Sequence, residues 1–361
     1  MEIGIIGLPN SGKTTIFNAL TRSDTATAAF SSGQVEVHTA VVNVPDPRVD
    51  QLSAMFKPRK TTYAQVTYND IAGLGQGAAR SGLSGALLNA MAANDALMLV
   101  VRAFEDENVP HPNQTVDPER DLAAMEAELI LSDMTIIDRR LERLAGGKHR
   151  GTPEERKRMA QEEALLRRLM DALEAETPLR EVEIDEAERK MLGGFGLLSL
   201  KPLLRVINMG DEDDEARFQH LADERTLLLR GRLEAEIAQM APEEAAEFLA
   251  EFGIQEPGLN RAIRLCYAML GLQSFFTVGE DEVRAWTVRR NTLAPEAAGV
   301  IHSDLQKGFI RAETIAYEDL MACGSMAEAR RQGKLRLEGK EYVVQDGDIL
   351  NIRFNVVSFN V

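Results

Sequence analysis

The chain has 361 residues, 44% of them hydrophobic and 27% charged, with a formal net charge of −16. That length argues for two or three domains rather than one core, and the composition is that of a folded chain rather than a disordered one. The acidic excess speaks against a general binder of DNA or of anionic membranes, while Cys266 and Cys323, far apart and outside any metal-ligand spacing, speak against a disulfide framework and for a reducing cytoplasm.

The amino end enters a short apolar run, Glu2 to Gly7, without the basic region and cleavage site of a leader. No segment reaches the roughly 18 apolar residues of a membrane-spanning helix, so a soluble, cytoplasmic protein is expected. The run ends in Gly7-Leu8-Pro9-Asn10-Ser11-Gly12-Lys13-Thr14, a GxxxxGK[ST] match between a strand and a helix that begins near Lys13. A triphosphate is a dense anion that needs many donors without side-chain bulk. Glycines let the backbone curl so that N–H groups converge on it, and the helix adds the positive end of its dipole. Pro9, Asn10, Ser11, Gly12, Lys13, Thr14 and Thr15 are therefore the expected nucleotide contacts. Lys13 is also the expected catalytic group, reaching the β- and γ-phosphates, and the Thr14 hydroxyl the expected ligand of Mg2+. Asn10 is a candidate ligand for K+, whose charge would replace that of an arginine finger.

A strand-like run at Ala64–Tyr68 leads into Asp70-Ile71-Ala72-Gly73, which fits the DxxG element that senses a γ-phosphate. Asp70 is expected to hold magnesium through water, and the Gly73 N–H to contact the γ-phosphate. Glycines recur from Gly73 to Gly85, a composition that favours a mobile switch. Leu74 stands where Ras-like enzymes carry the glutamine that orients the attacking water, so slow intrinsic hydrolysis is expected. Leu97–Val101 and Leu203–Ile207 are further apolar runs; such strands separated by helices read as a parallel sheet covered on both faces. Between them, Asp117-Pro118 opens a helix with Leu122, Met125, Leu129, Ile137, Leu141 and Leu144 on one face, broken at Gly146-Gly147. Thr152-Pro153-Glu154-Glu155 reads as the cap of a second helix. The pair is an inserted hairpin, serving either as a spacer or as a docking arm.

From about Phe275, short alternating segments (Ala285–Val288, Lys334–Leu337, Tyr342–Val344, Ile349–Phe354) between turn signals predict a small, mostly β domain. Its cations, among them Arg284, Arg311, Arg330, Arg331, Lys334 and Arg336, gather either into an RNA-facing patch or into solvated faces paired with Glu282, Glu313, Glu328 and Glu338. Trp286 reads as a core anchor.

With these blocks in view the chain resembles the YchF family of Obg-like ATPases over nearly its whole length. GLPNSGKTTIFNALT (Gly7–Thr21), VPDPRVDQL (Val44–Leu52) and NDIAGL (Asn69–Leu74) look like that family's amino-terminal blocks, and Glu282–Glu313 and Gly339–Val356 like its TGS block. The resemblance implies an α/β fold in three parts: a P-loop NTPase G domain with a parallel-rich sheet over 1–116 and 197–274, a helical hairpin over 117–196, and a ubiquitin-like (β-grasp) TGS domain over 275–361. It also implies Mg-ATP hydrolysis and association with the ribosome, neither of which composition shows, in a chain expected to act as a monomer.

Guanine-specific GTPases use NKxD, whose aspartate accepts from the guanine N1–H and amino group, whereas the family typically carries an NVxE-like element that goes with ATP. Here Asn208, Met209 and Asp211 hold that place: Met209 lacks the lysine, and Asp211 restores the guanine-type carboxylate. ATP is the expected nucleotide and GTP the competitor, with Gly231 the expected contact from the second base-side loop. Phe30–Thr39 lacks the family's Phe-Cys-Thr run; Gln34 falls about where the switch threonine would be, Thr39 is a substitute magnesium ligand, and Ala90 replaces an expected histidine. The function expected is Mg-dependent binding and slow hydrolysis of a purine triphosphate in a ribosome-associated switch. A GTP-specific GTPase and a binding module with negligible turnover are the alternatives.

Overall fold

A strand covered on both faces has no polar alternation, and Ala96–Arg102 (ALMLVVR) is buried at every position. It is one of the central strands in the computed structural model, which describes residues 1–22, 36–72, 84–147, 152–251 and 254–355. In chain order the elements are β1 (Glu2–Ile6), α1 (Lys13–Thr21), β2 (Glu36–Asn43), α2 (Pro47–Phe56), β3 (Lys60–Thr62), β4 (Gln65–Ala72), α3 (Gly85–Ala92), β5 (Ala96–Arg102), α4 (Pro118–Gly147) and α5 (Pro153–Glu174). Then follow β6 (Leu203–Asn208), β7 (Thr226–Leu229), α6 (Gly231–Gln239), β8 (Leu272–Thr277), β9 (Glu282–Arg289), α7 (Ala294–Ile301), β10 (Phe309–Ala316), β11 (Arg336–Glu338) and β12 (Asp348–Phe354), with further helices between them. The chain divides into two units, Met1–Val41 with Thr67–Ala262, and Val42–Val66 with Ile263–Val361.

In the first unit the strand order is β2-β4-β1-β5-β6-β7, with β4, β1, β5, β6 and β7 parallel. The order reverses around β1, which lies between β4 and β5, and α/β sheets bind ligands at such a switch point, beyond the carboxyl ends of the strands. The hairpin α4–α5 grows from this sheet. Met125 and Leu129 of α4 pack with sheet residues such as Leu99 and Ile207, whereas Ile137 and Leu144 pack with Leu166 and Leu169 of α5 in a separate core. Asp117 caps α4, its Oδ1 accepting from Arg120 N at 3.0 Å. Thr152 and Glu155 form a reciprocal capping box on α5 with Pro153 in its first turn, as the sequence predicts. Among the described residues no helix is long and apolar enough to cross a membrane.

The second unit carries the order β11-β10-β12-β8-β9-β3. Two antiparallel pairs, β8–β9 and β10–β12, meet through the parallel contact of β12 with β8. Ala294, Ala297 and Ala298 let α7 lie close against Phe275, Val288 and Leu350, a β-grasp arrangement. Trp286 anchors this core: it stacks on Phe275 at 6.5 Å, and its Nε1 donates to Thr277 Oγ1 at 2.9 Å. Tyr342–Val344, expected as a strand, supplies a single bridge, Leu293 to Val343.

Residues 42–66, which the sequence partition places in the G domain, belong to this second unit. Lys60, Thr61 and Thr62 of β3 pair in parallel with Glu282, Val283 and Arg284. Arg48, at the start of α2, bridges Asp46 at 2.9 Å and Asp346 at 2.8 Å and lies over the Phe276 ring. A three-residue strand of Lys-Thr-Thr has no apolar run to flag it, so only the three-dimensional pairing reveals where the segment goes.

Candidate functional site

The turn from β1 into α1 works only with glycine at two places. Gly7 has φ +152°, and a Cβ there would lie 2.3 Å from Val100 O; Gly12 has φ +93°, and a Cβ there would lie 2.2 Å from Asn208 Nδ2. Asn10 also adopts a left-handed φ of 61°, and its Nδ2 donates to Pro110 O at 2.9 Å. Within the curl Lys13 folds back, its Nζ donating to Gly7 O at 2.9 Å and Leu8 O at 3.0 Å. Burial lowers its ammonium to about 8, against the opposing charge of Asp70. A triphosphate in the curl would give that ammonium the anion it lacks.

Thr14 Oγ1 donates to Asp70 Oδ2 at 2.8 Å, joining the first turn of α1 to β4 across 56 residues of sequence. Asp70 is 0% exposed, and its Oδ1 has no hydrogen-bond partner among the described residues. Burial pushes the Asp70 carboxyl up, partly offset by the Thr14 hydrogen bond and the charge of Lys13. A hydroxyl and a carboxylate with one orphaned hard oxygen beside a phosphate curl suit a magnesium ion, and Thr14 and Asp70 are the residues that would hold it. When bound, such an ion neutralises charge on the β- and γ-oxygens. Thr39, the substitute ligand expected from sequence, is committed elsewhere here: its Oγ1 donates to Asn69 Oδ1 at 2.7 Å. Gly73, Leu74 and Gln34 lie outside the described residues. Pro9 and Ser11 line a small cavity behind the curl, and Thr15 follows in the first turn of α1.

The base-side residues separate on inspection. Asn208 is buried and uses both ends of its amide as a brace, Nδ2 donating to Ser11 O at 3.0 Å and Oδ1 accepting from Gly231 N at 2.9 Å. It fixes the phosphate curl and the Arg230–Arg232 loop relative to each other. Met209 is 2% exposed and packs in the sheet core with Ile207 and Phe218, so its side chain is structural. Asp211 is 37% exposed, with Arg232 Nε 3.7 Å from Oδ2. One residue that motif reading passes over is Phe104. Its N–H donates to Asn208 O at 3.1 Å, and the Arg102 guanidinium lies 4.3 Å over its ring. Cβ atoms built on Gly12 and Gly210 would lie 3.9 and 3.8 Å from Phe104, so an aromatic face borders the groove between curl and base loop. The available signal was position: an aromatic two residues past the end of a buried strand, at the edge where such sheets bind ligands.

Similarity to known proteins agrees with this geometry. Residues 2–137 match the family MMR_HSR1, described as "50S ribosome-binding GTPase", and residues 272–355 match YchF-GTPase_C, described as "Protein of unknown function (DUF933)". The chain is 42% identical to "Ribosome-binding ATPase YchF" of Bacillus subtilis, over 99% of its own length and 100% of that protein. It is 39% identical to the protein of the same name from Escherichia coli O157:H7, covering 98% and 99%, and 37% identical to "Obg-like ATPase 1" of Oryza sativa, covering 99% and 92%. The solved "Structure of the Schizosaccharomyces pombe YchF GTPase" superposes with a TM-score of 0.82 at 31% identity, over 98% of this chain and 97% of that one.

Proposed function

Because the chain belongs to the YchF family of Obg-like ATPases, a family of P-loop NTPases, we propose that it binds Mg-ATP in preference to Mg-GTP, hydrolyses it slowly, and uses the cycle as a ribosome-associated switch. The observation that carries the nucleotide part is the convergence of Lys13 and Thr14, just past β1, with Asp70 near the carboxyl end of β4. Lys13 holds the phosphates, and Thr14 with Asp70 holds the metal side. The Gly73 N–H then reports whether a γ-phosphate is present. Leu74, where a water-orienting glutamine stands in faster enzymes, supports a low rate. K+ at Asn10 belongs to the same reading, and equal hydrolysis rates in sodium and potassium buffers would count against it.

Preference for adenine rests on three side chains. Met209 is withdrawn into the core, Phe104 offers an apolar face, and Asp211, the group guanine would need, has Arg232 as a competing partner. Calorimetry with Mg-ATP and Mg-GTP decides it. We expect ATP to bind at least about tenfold more tightly, a difference of about 1.4 kcal/mol, and Asp211→Ala to leave ATP affinity unchanged. Tighter GTP binding that collapses in Asp211→Ala would reverse the assignment.

The ribosome part rests on the names of the relatives and on one surface. Several C-terminal cations are already paired: Arg331 with Glu328, Lys334 with Asp319 and Arg336 with Glu338. Beside β10 and β12, however, Arg330 of the short helix Met326–Arg331 and Arg353 of β12 share the single carboxylate of Glu313, at 3.1 and 3.5 Å, with exposed Arg311 paired opposite Arg353 in the same ladder. That local positive excess in an acidic chain suits a phosphate backbone. Co-sedimentation with ribosomes should weaken when Arg311 and Arg353 are both replaced by alanine, and weaken further with salt.

A further inference from the structure

Behind the phosphate curl lies a cavity of about 10 Å³, lined by Pro9, Ser11, Arg102, His111, Asp121 and Met125, among others. Ser11 is 1% exposed, and Arg102 and Asp121 are each 2% exposed. Ser11 Oγ, Arg102 Nη1 and Asp121 Oδ2 are buried without a hydrogen-bond partner among the described residues, although His111 Nε2 stands 2.8 Å from that Asp121 oxygen. A cavity of about 10–15 Å³ holds one water, provided that two to four polar groups face it. One cation and one carboxylate face this cavity, so a neutral occupant fits better than an ion of either sign.

The polar groups belong to three segments. Ser11 is in the curl, Arg102 ends β5, and Asp121 is in the first turn of α4. Asp121 is held firmly. Asn113 Nδ2 and Arg120 Nε donate to its Oδ1 at 3.1 and 3.0 Å, and His111, oriented by the Asn113 N–H donating to its Nδ1 at 3.1 Å, faces Oδ2. Arg102, which lines the cavity, has its Nε fixed by Phe104 O at 3.0 Å and its Nη1 buried without a partner among the described residues. The neighbouring curl residue, Asn10, donates into the same connecting segment at Pro110 O. Two successive residues of the phosphate curl thus face the segment that ends in α4.

We propose that Arg102 and Asp121 are positioning residues that hold one buried water against Ser11 Oγ, so that closure of the curl on a triphosphate is transmitted to the first turn of α4. The water accepts from Arg102 Nη1, donates to Asp121 Oδ2 and completes its bonding at Ser11. A shift of Ser11 therefore strains a bond to a helix of 30 residues, about 45 Å long at 1.5 Å per residue. The proposal rests on the triphosphate reading above and adds to it a route out of the site.

Hydrogen exchange on the full chain tests it, with Mg-AMPPNP at saturation and binding confirmed separately by calorimetry. In the wild type, peptides from 118 to 130 should exchange at least about threefold more slowly with nucleotide bound. In Asp121→Asn, with nucleotide still bound, that nucleotide-dependent difference should fall below half, whereas a residue that only stabilises the helix would change the basal rates and leave the difference intact. Should Asp121→Asn fail to fold, Arg102→Lys keeps a positive charge while removing the Nη1 fork, and carries the same expectation. Full nucleotide-dependent slowing in the folded variant overturns the relay, as does a wild type that binds nucleotide without slowing at α4. A wild type that binds no nucleotide overturns the triphosphate reading and the relay with it.

Discussion

Two of the places where the first unit turns backbone N–H groups toward an anion are built in opposite ways. At Gly7–Thr14 the anion is the triphosphate proposed above, and Lys13 meanwhile rests on the carbonyls of Gly7 and Leu8. At the root of the helical hairpin the anion is part of the chain: Asp133 of α4, 0% exposed, accepts from Leu198 N at 2.7 Å and Ser199 N at 2.8 Å. Ser199 Oγ in turn accepts from Leu179 N at 3.1 Å, so the chain returning from α5 is tied to α4 through this one carboxylate and its neighbouring hydroxyl. A built-in anion can only hold a shape. A site whose anion arrives and leaves can report that it has done so.

The comparison breaks most readily at Lys13. Lys13→Ala should weaken Mg-ATP binding by roughly a hundredfold or more, the loss of about 3 kcal/mol of charge-assisted contact. Thermal unfolding of the second unit should be unchanged, since its core shares no residue with the curl. Calorimetry and a thermal scan check the two halves. Loss of both together would mean that the curl is a structural element after all.

Asp133→Ala should do the converse. Two buried N–H groups lose their acceptor, which costs on the order of 2–3 kcal/mol of stability, while the affinity for Mg-ATP measured on the folded fraction stays within about twofold, a few tenths of a kcal/mol. A large loss of affinity would show that the hairpin root is part of the site rather than its support.

The two places also differ in how far they can be read from sequence. The phosphate curl is contiguous, and each constraint on it is local: glycine where φ is positive, lysine and threonine at the head of a helix. The hairpin was equally legible, through the stripe on α4 and the Thr152–Glu155 box. Asp133 was not, because its partners lie 65 and 66 residues away and an aspartate on a charged helix looks like any solvated residue. The same limit explains the base side. Asn208 ends β6, yet its task as a brace depends on Ser11 and Gly231, which only folding brings near. Met209 reads as a contact by motif position and is packed inward because β6 is buried on both faces. The transfer of residues 42–66 to the second unit was hidden for a related reason, since β3 is three residues long and its partner strand begins 220 residues later.

The smallest and sharpest test concerns pH. Two N–H donors pull the Asp133 carboxyl down, but burial outweighs them and holds it up at about 6. The native state therefore keeps this proton to higher pH than the unfolded chain, whose aspartate titrates near the ordinary 3.8. Stability then falls as pH rises between those two values, and the contribution is constant above them. At pH 7 the hairpin root carries the cost of a buried charge in full; at pH 5 part of that cost is relieved, on the order of 1 kcal/mol. Asp133→Asn has no proton to exchange and lacks one acceptor. The wild type should be the more stable at both pH values, with its advantage over Asp133→Asn larger at pH 5 than at pH 7 in urea unfolding. An advantage that shrinks on acidification would mean that the N–H donors outweigh burial, and that the internal anion is held as a true carboxylate well below neutral pH.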